Sequence, residues 1–146
     1  DIRGVEFLSI LKNIYAIIIG IVDAYYNSPN VRFLVFTKSL NEIRKIIESL
    51  SVPADSLFKY AGIGDFGLTA LNDLSRNRTL GLLIGKGFFG KNPGNPVVLE
   101  GVKAIDHFIK MFDKQQLSEL KYILLLQDLF NNKINVKDFV NNVIYT

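Results

Sequence analysis

From Phe7 to Tyr26 the chain is almost continuously apolar, and the only charges inside that run are Lys12 and Asp23. A helix of this length could cross a bilayer. Each charge deep in hydrocarbon, however, costs roughly 2.5 to 3.5 kcal/mol on insertion scales, and no positive leader region or small-residue cleavage site accompanies the run. The reading that accommodates both charges is the central helix of a folded domain, apolar all round because other helices surround it. Within such a helix Lys12 must find a partner, reach solvent along the helix surface or lose its charge.

The 146 residues, 49% of them hydrophobic, suffice for one domain with its own core and are too few for two. The formal charge of +3 arises from 17 basic and 14 acidic residues that are interspersed, so no extended basic face for nucleic acid is expected. Phosphate-bearing small molecules remain compatible. The absence of cysteine excludes disulfides, a thiol nucleophile and a cysteine metal site, and fits a cytoplasmic protein; one histidine, His107, excludes a histidine-rich site. His107 lies among Ile105, Phe108, Ile109 and Met111 and reads as a structural or surface residue.

Periodicity predicts an all-α chain. Asn27-Ser-Pro-Asn30 reads as a turn, and the stripe Phe36, Leu40, Ile43, Ile47 and Leu50 predicts a second helix from about Val31 to Leu50. Ser51 to Pro53 restarts the chain into a short helical piece. Gly64 to Leu71 reads as another short helix, and Ser75 as the N-cap of one running to about Ile84. A glycine- and proline-marked segment from Gly85 to Pro96 is irregular. Three further helices are expected near Glu100 to Phe112, Gln116 to Phe130 and Val136 to Ile144, with Asn135 capping the last. No alternating strand pattern of useful length competes.

Three groups of residues could carry chemistry. Lys12, followed by Asn13, is a candidate proton donor and acceptor, since a lysine whose pKa is lowered by its surroundings can act near neutral pH; snorkelling to solvent is the alternative. Asp65 and Thr69 are four apart and would share one helix face, where they could hold Lys12 or a substrate hydroxyl, or be no more than a dipole-stabilised carboxylate and a packed threonine. Ser75, Arg76 and Asn77 open a helix whose unpaired N–H groups favour an anion; this is a phosphate seat or a solvated basic turn. Gly62-Ile-Gly64-Asp-Phe-Gly67 matches the G-x-G-x-x-G fingerprint but lacks the βαβ setting that gives that fingerprint meaning.

Taken together, Ala61-Gly-Ile-Gly-Asp65, Ser75-Arg-Asn-Arg78 ten residues beyond its aspartate, and the opening block Asp1 to Gly20 with Lys12-Asn13 resemble the substrate domain of the NAD-dependent glycerol-3-phosphate dehydrogenases. The match is plain over roughly Asp1 to Gly87. It departs at Asp23-Ala-Tyr-Tyr26, where the family has Asp-Gly and a glycine-rich turn, and beyond Gly101, where only a helical pattern is shared. The resemblance implies a helical fold like the C-terminal domain of 6-phosphogluconate dehydrogenase, spanning residues 1–146, with the N-terminal Rossmann domain absent from this chain. It implies Lys12 as acid/base and Asn13, Asp65, Thr69, Ser75, Arg76 and Asn77 as substrate-binding residues. Arg76, Val98 and Glu100 would reach the cofactor, NAD or NADP. The implied partners are glycerol 3-phosphate, dihydroxyacetone phosphate and the enzyme's own Rossmann domain, with a homodimer compatible. Arg78 is read as structural. A catalytically silent helical module for oligomerisation or partner binding is the alternative from a different class.

Overall fold

The computed structural model describes residues 2–51, 55, 63–88 and 96–146. Among them are eight α-helices and no strand: α1 (Ile2–Tyr26), α2 (Pro29–Ser49), α3 (Asp65–Leu71), α4 (Arg76–Gly85), α5 (Pro96–Ile109), α6 (Lys114–Leu117), α7 (Lys121–Phe130) and α8 (Val136–Tyr145). The all-α expectation holds. Every residue from Ile14 to Asp23 is buried, on all sides of α1, which only a helix enclosed by others can achieve. By length and composition Glu6–Tyr26 could cross a membrane, yet 67% of its most apolar window is covered by the rest of the domain. Helices α2, α3, α4, α7 and α8 all pack on it.

Helix boundaries follow caps more than stripes. Asn27, at φ 41°, turns the chain after α1 and its N–H bonds the Asp23 carbonyl at 2.8 Å. The turn is shorter than its composition suggested: Pro29 and Asn30 already belong to α2, because Ser28 caps the helix and the fixed φ of proline suits its first position. Ser75 and Asn135 cap α4 and α8 as expected, accepting from Arg78 N at 3.3 Å and Asp138 N at 2.8 Å. Helix α5 starts at Pro96, four residues before the expected Glu100, again with proline at the first turn, and gives way to turns after Ile109. Ser51 has φ 56°, and of the helical piece that Ser51 to Pro53 is expected to lead into only Asp55, which is helical, belongs to the described residues; Gly62 and most of the irregular segment before Pro96 lie outside them.

The single helix expected over Gln116 to Phe130 is two. Asp113 and Gln116 form a reciprocal capping box around α6, the two bonds being 2.8 and 3.0 Å. Helix α7 then begins afresh at Lys121, with the buried carboxyl group of Glu42, from α2, accepting the Tyr122 N–H at 3.1 and 3.3 Å. A cap supplied by another helix is invisible to any local pattern.

Candidate active site

The site is built where α1 crosses α4. Gly20, Gly81 and Gly85 let the two backbones touch: a Cβ on Gly81 would collide with the Ile17 carbonyl oxygen, and one on Gly85 would lie 2.6 Å from the Ile21 oxygen. Beside the crossing opens a groove of about 370 Å³. Ile10, Asn13, Ile14 and Ile17 of α1 form one wall at the three-to-four spacing of a single helix face, and Arg76, Asn77 and Leu80 of α4 form another. Glu100, Gly101, Ala104 and Ile105 of α5 complete it. Its floor is apolar; Asn13, Arg76, Asn77 and Glu100 supply polar groups.

Lys12 lies one residue before Asn13, about 100° round the helix. Its ammonium is paired with the carboxylate of Asp65, and the side chains are 20% and 39% exposed. Helix α3 delivers Asp65 at its first position, preceded by the helical Gly64. It is held in place by Phe66, buried edge-on to Tyr15 of α1 and stacked on Phe36 of α2 with centroids 4.8 Å apart. Thr69 follows one turn later, on the face of Asp65 and half-buried.

Ser75 spends its hydroxyl on capping α4, and the N–H groups of Arg76 and Asn77 precede the first intrahelical bond, from Thr79 N to Ser75 O at 2.9 Å. The structure therefore brings Asn13, Arg76, Asn77 and Glu100 together in one groove and places Lys12 with Asp65 on the adjoining face of α1. Val98 is half-buried against the core and is not a lining residue of the groove. His107 is exposed on α5. Arg78 is 3% exposed and ion-paired with Asp23 and Asp73. The groove's hydrophobic wall and the partners of Arg78 escaped sequence reasoning, although Asp23, the second charge in the apolar run, was the signal that a buried cation had to exist.

A family model described as NAD-dependent glycerol-3-phosphate dehydrogenase C-terminus matches residues 1–141. The chain belongs to this family. As a C-terminal domain of the glycerol-3-phosphate dehydrogenases it is 29% identical over 144 residues to the curated enzyme of Methanothermobacter thermautotrophicus, named glycerol-3-phosphate dehydrogenase (NAD(P)+), covering 98% of this chain and 44% of the relative. Against the enzyme of the same name from Clostridium tetani it is 37% identical over 120 residues, covering 81% of this chain and 34% of the relative. The crystal structure of glycerol-3-phosphate dehydrogenase from Coxiella burnetii shares the fold, with a TM-score of 0.82 at 24% identity, over 100% of this chain and 45% of that one. The chain thus spans less than half the length of these relatives. The family match runs well past Gly87, so the region beyond Gly101, where the sequence alone shows only a helical pattern, belongs to the glycerol-3-phosphate dehydrogenase domain as well.

Proposed function

We propose that this chain is the substrate-binding and acid/base part of an enzyme that interconverts sn-glycerol 3-phosphate and dihydroxyacetone phosphate with NAD or NADP. The observation that carries the reading is the Lys12–Asp65 pair set against a groove with a cationic, N–H-rich helix start. Asp65 holds Lys12, whose ammonium donates a proton to the carbonyl oxygen of the ketone in reduction and whose neutral amine takes the hydroxyl proton in oxidation. Asn13 and Thr69 orient the reacting end. Arg76, with its permanently charged fork, and the Asn77 amide hold the phosphate at the first turn of α4. The nicotinamide, when bound, supplies or accepts the hydride. Arg76 and Glu100, both exposed at the groove, fit one end of such a cofactor, and Val98 would support that end from the core. Its pyrophosphate is assigned to a Rossmann domain outside these 146 residues, as the greater length of the relatives supports. The same reading extends to a cytoplasmic enzyme acting as a homodimer; sedimentation of the complete protein checks the latter.

The test separates proton transfer from phosphate binding in the complete enzyme. Lys12→Ala should lower kcat by about 10²- to 10⁴-fold. Arg76→Ala should raise KM for dihydroxyacetone phosphate by roughly ten- to a hundred-and-fifty-fold, the worth of a charge-assisted contact present in ground and transition states alike. A folded Lys12→Ala enzyme with near-normal kcat, or an unchanged KM in Arg76→Ala, refutes the assignment.

A further inference from the structure

Arg78 points away from the groove. In α4, Arg76, Asn77 and Leu80 face the groove, and Arg78 lies on the opposite side, against Asp23 of α1. Its Nη2 is paired with Asp23 Oδ2 of α1, and its Nη1 with Asp73 Oδ1 in the turn leading into α4, at 2.5 Å. The other oxygen of Asp23 accepts from Arg32 of α2, whose Nε and Nη2 stand at 2.9 and 2.8 Å. Two cations and two anions therefore close one network across three helices and a turn. Asp23 and Arg78 are both buried in it, and Arg78 Nε, also buried, has no hydrogen-bond partner among the described residues.

The glycine crossing fixes how closely α4 approaches α1 but presents backbone to backbone, with no side chain at Gly20 or Gly81 to stop α4 turning about its own axis. A fork gripping the buried carboxylate of Asp23 on the far side resists it directionally, beside the packing of Leu80 and Ile84 in the core. Any rotation that carried Arg76 and Asn77 out of the groove would pull Arg78 off Asp23, breaking the one pair of the network in which both partners are buried and leaving Asp23 to Arg32 and Arg78 to the exposed Asp73. Asp73 ties the same guanidinium to the turn that ends at Ser75, which caps the Arg78 N–H.

We propose that Arg78 is a positioning residue for anion binding: through Asp23 and Asp73 it sets the rotation of α4 and the entry turn, and thereby aims Arg76, Asn77 and the first-turn N–H groups at the phosphate. This rests on the function proposed above. Asp73 gives the clean test because its side chain is 89% exposed, so Asp73→Asn loosens the entry turn while leaving the buried Asp23 pair intact. In the complete enzyme, Asp73→Asn should raise KM for dihydroxyacetone phosphate and Ki for inorganic phosphate together, on the order of three- to tenfold, with kcat and the melting temperature little changed. Arg78→Lys, which keeps the charge but has no fork, should raise both constants further. A network that merely stabilised the fold would lower the melting temperature and leave KM alone, and that result, or unchanged constants in folded Asp73→Asn, overturns the proposal. Arg76→Ala measured alongside distinguishes the two levels. If it raises KM while Asp73→Asn and Arg78→Lys do not, the phosphate seat stands and the positioning role falls. If Arg76→Ala itself has no effect, the seat fails and takes this inference with it.

Discussion

Glu42 is the residue whose burial most directly sets a solution property. Its carboxyl caps α7 through the Tyr122 N–H, and burial lifts its pKa from 4.5 to about 8, with that N–H, the Tyr15 hydroxyl and the charges of Lys45 and Lys121 pulling the other way. Beside it the Tyr15 hydroxyl is buried, its ionisation pushed well up by burial and then by the charge and hydrogen-bonding of Glu42. Between pH 4.5 and 8 the folded protein retains a proton that the unfolded chain has released. The stability this group contributes is therefore full below 4.5 and is lost as pH rises through 8, at up to about 1.4 kcal/mol per pH unit. Melting temperatures measured from pH 5 to 9 should fall across that window, and Glu42→Gln should flatten the profile; parallel profiles for the two proteins would rule the explanation out. None of this is legible in the sequence, where Glu42 sits among Asn41, Arg44 and Lys45 as an ordinary polar residue. Lys12 and Asp65 are the opposite case. A lysine in an apolar run announces its need for a partner, and Asp65 is one carboxylate that could hold it, but the packing of Phe66 against Tyr15 and Phe36 that brings α3 to α1 is not written in either segment.

At the scale of elements, the α1–α4 crossing makes a prediction with an internal control. Alanine at position 81 gains up to about 1 kcal/mol of helix propensity. Its Cβ, however, would overlap the Ile17 carbonyl, backbone that cannot move without shifting α1, at a cost of about 1 to 3 kcal/mol or more. Gly101, on α5, has nothing within 4 Å of an added Cβ. Gly81→Ala should thus lower the denaturation midpoint and Gly101→Ala raise it, by about 0.5 to 1 kcal/mol in the latter case; denaturant titration decides, and equal effects would show that the crossing is not glycine-dependent. Stripes and caps within one segment made α4 and α8 readable nearly to the residue, because Ser75 and Asn135 are local signals. The start of α7 was hidden because its cap comes from α2, and the start of α5 because Pro96 reads equally as a loop residue or a first helical position.

Taken as a whole, the described residues hold a groove and the Lys12–Asp65 ion pair but no strand, and so no strand-to-helix turn to cradle a dinucleotide pyrophosphate. The purified 146-residue chain should accordingly show no NADH oxidation with dihydroxyacetone phosphate; turnover in a preparation free of contaminating enzyme would contradict the division of labour proposed above. The enclosure of α1 also bears on how the domain comes into being. Translation delivers this apolar helix ahead of every element that covers it: α4 arrives only with residues 76–85, and α7 and α8 later still. Until then a nascent chain displays a segment indistinguishable by length and hydropathy from a membrane anchor. Enclosure of α1 by α4, α7 and α8 thus becomes possible only once residues 76–145 have been made, and the interval before it is when the chain is most exposed to misrouting and aggregation.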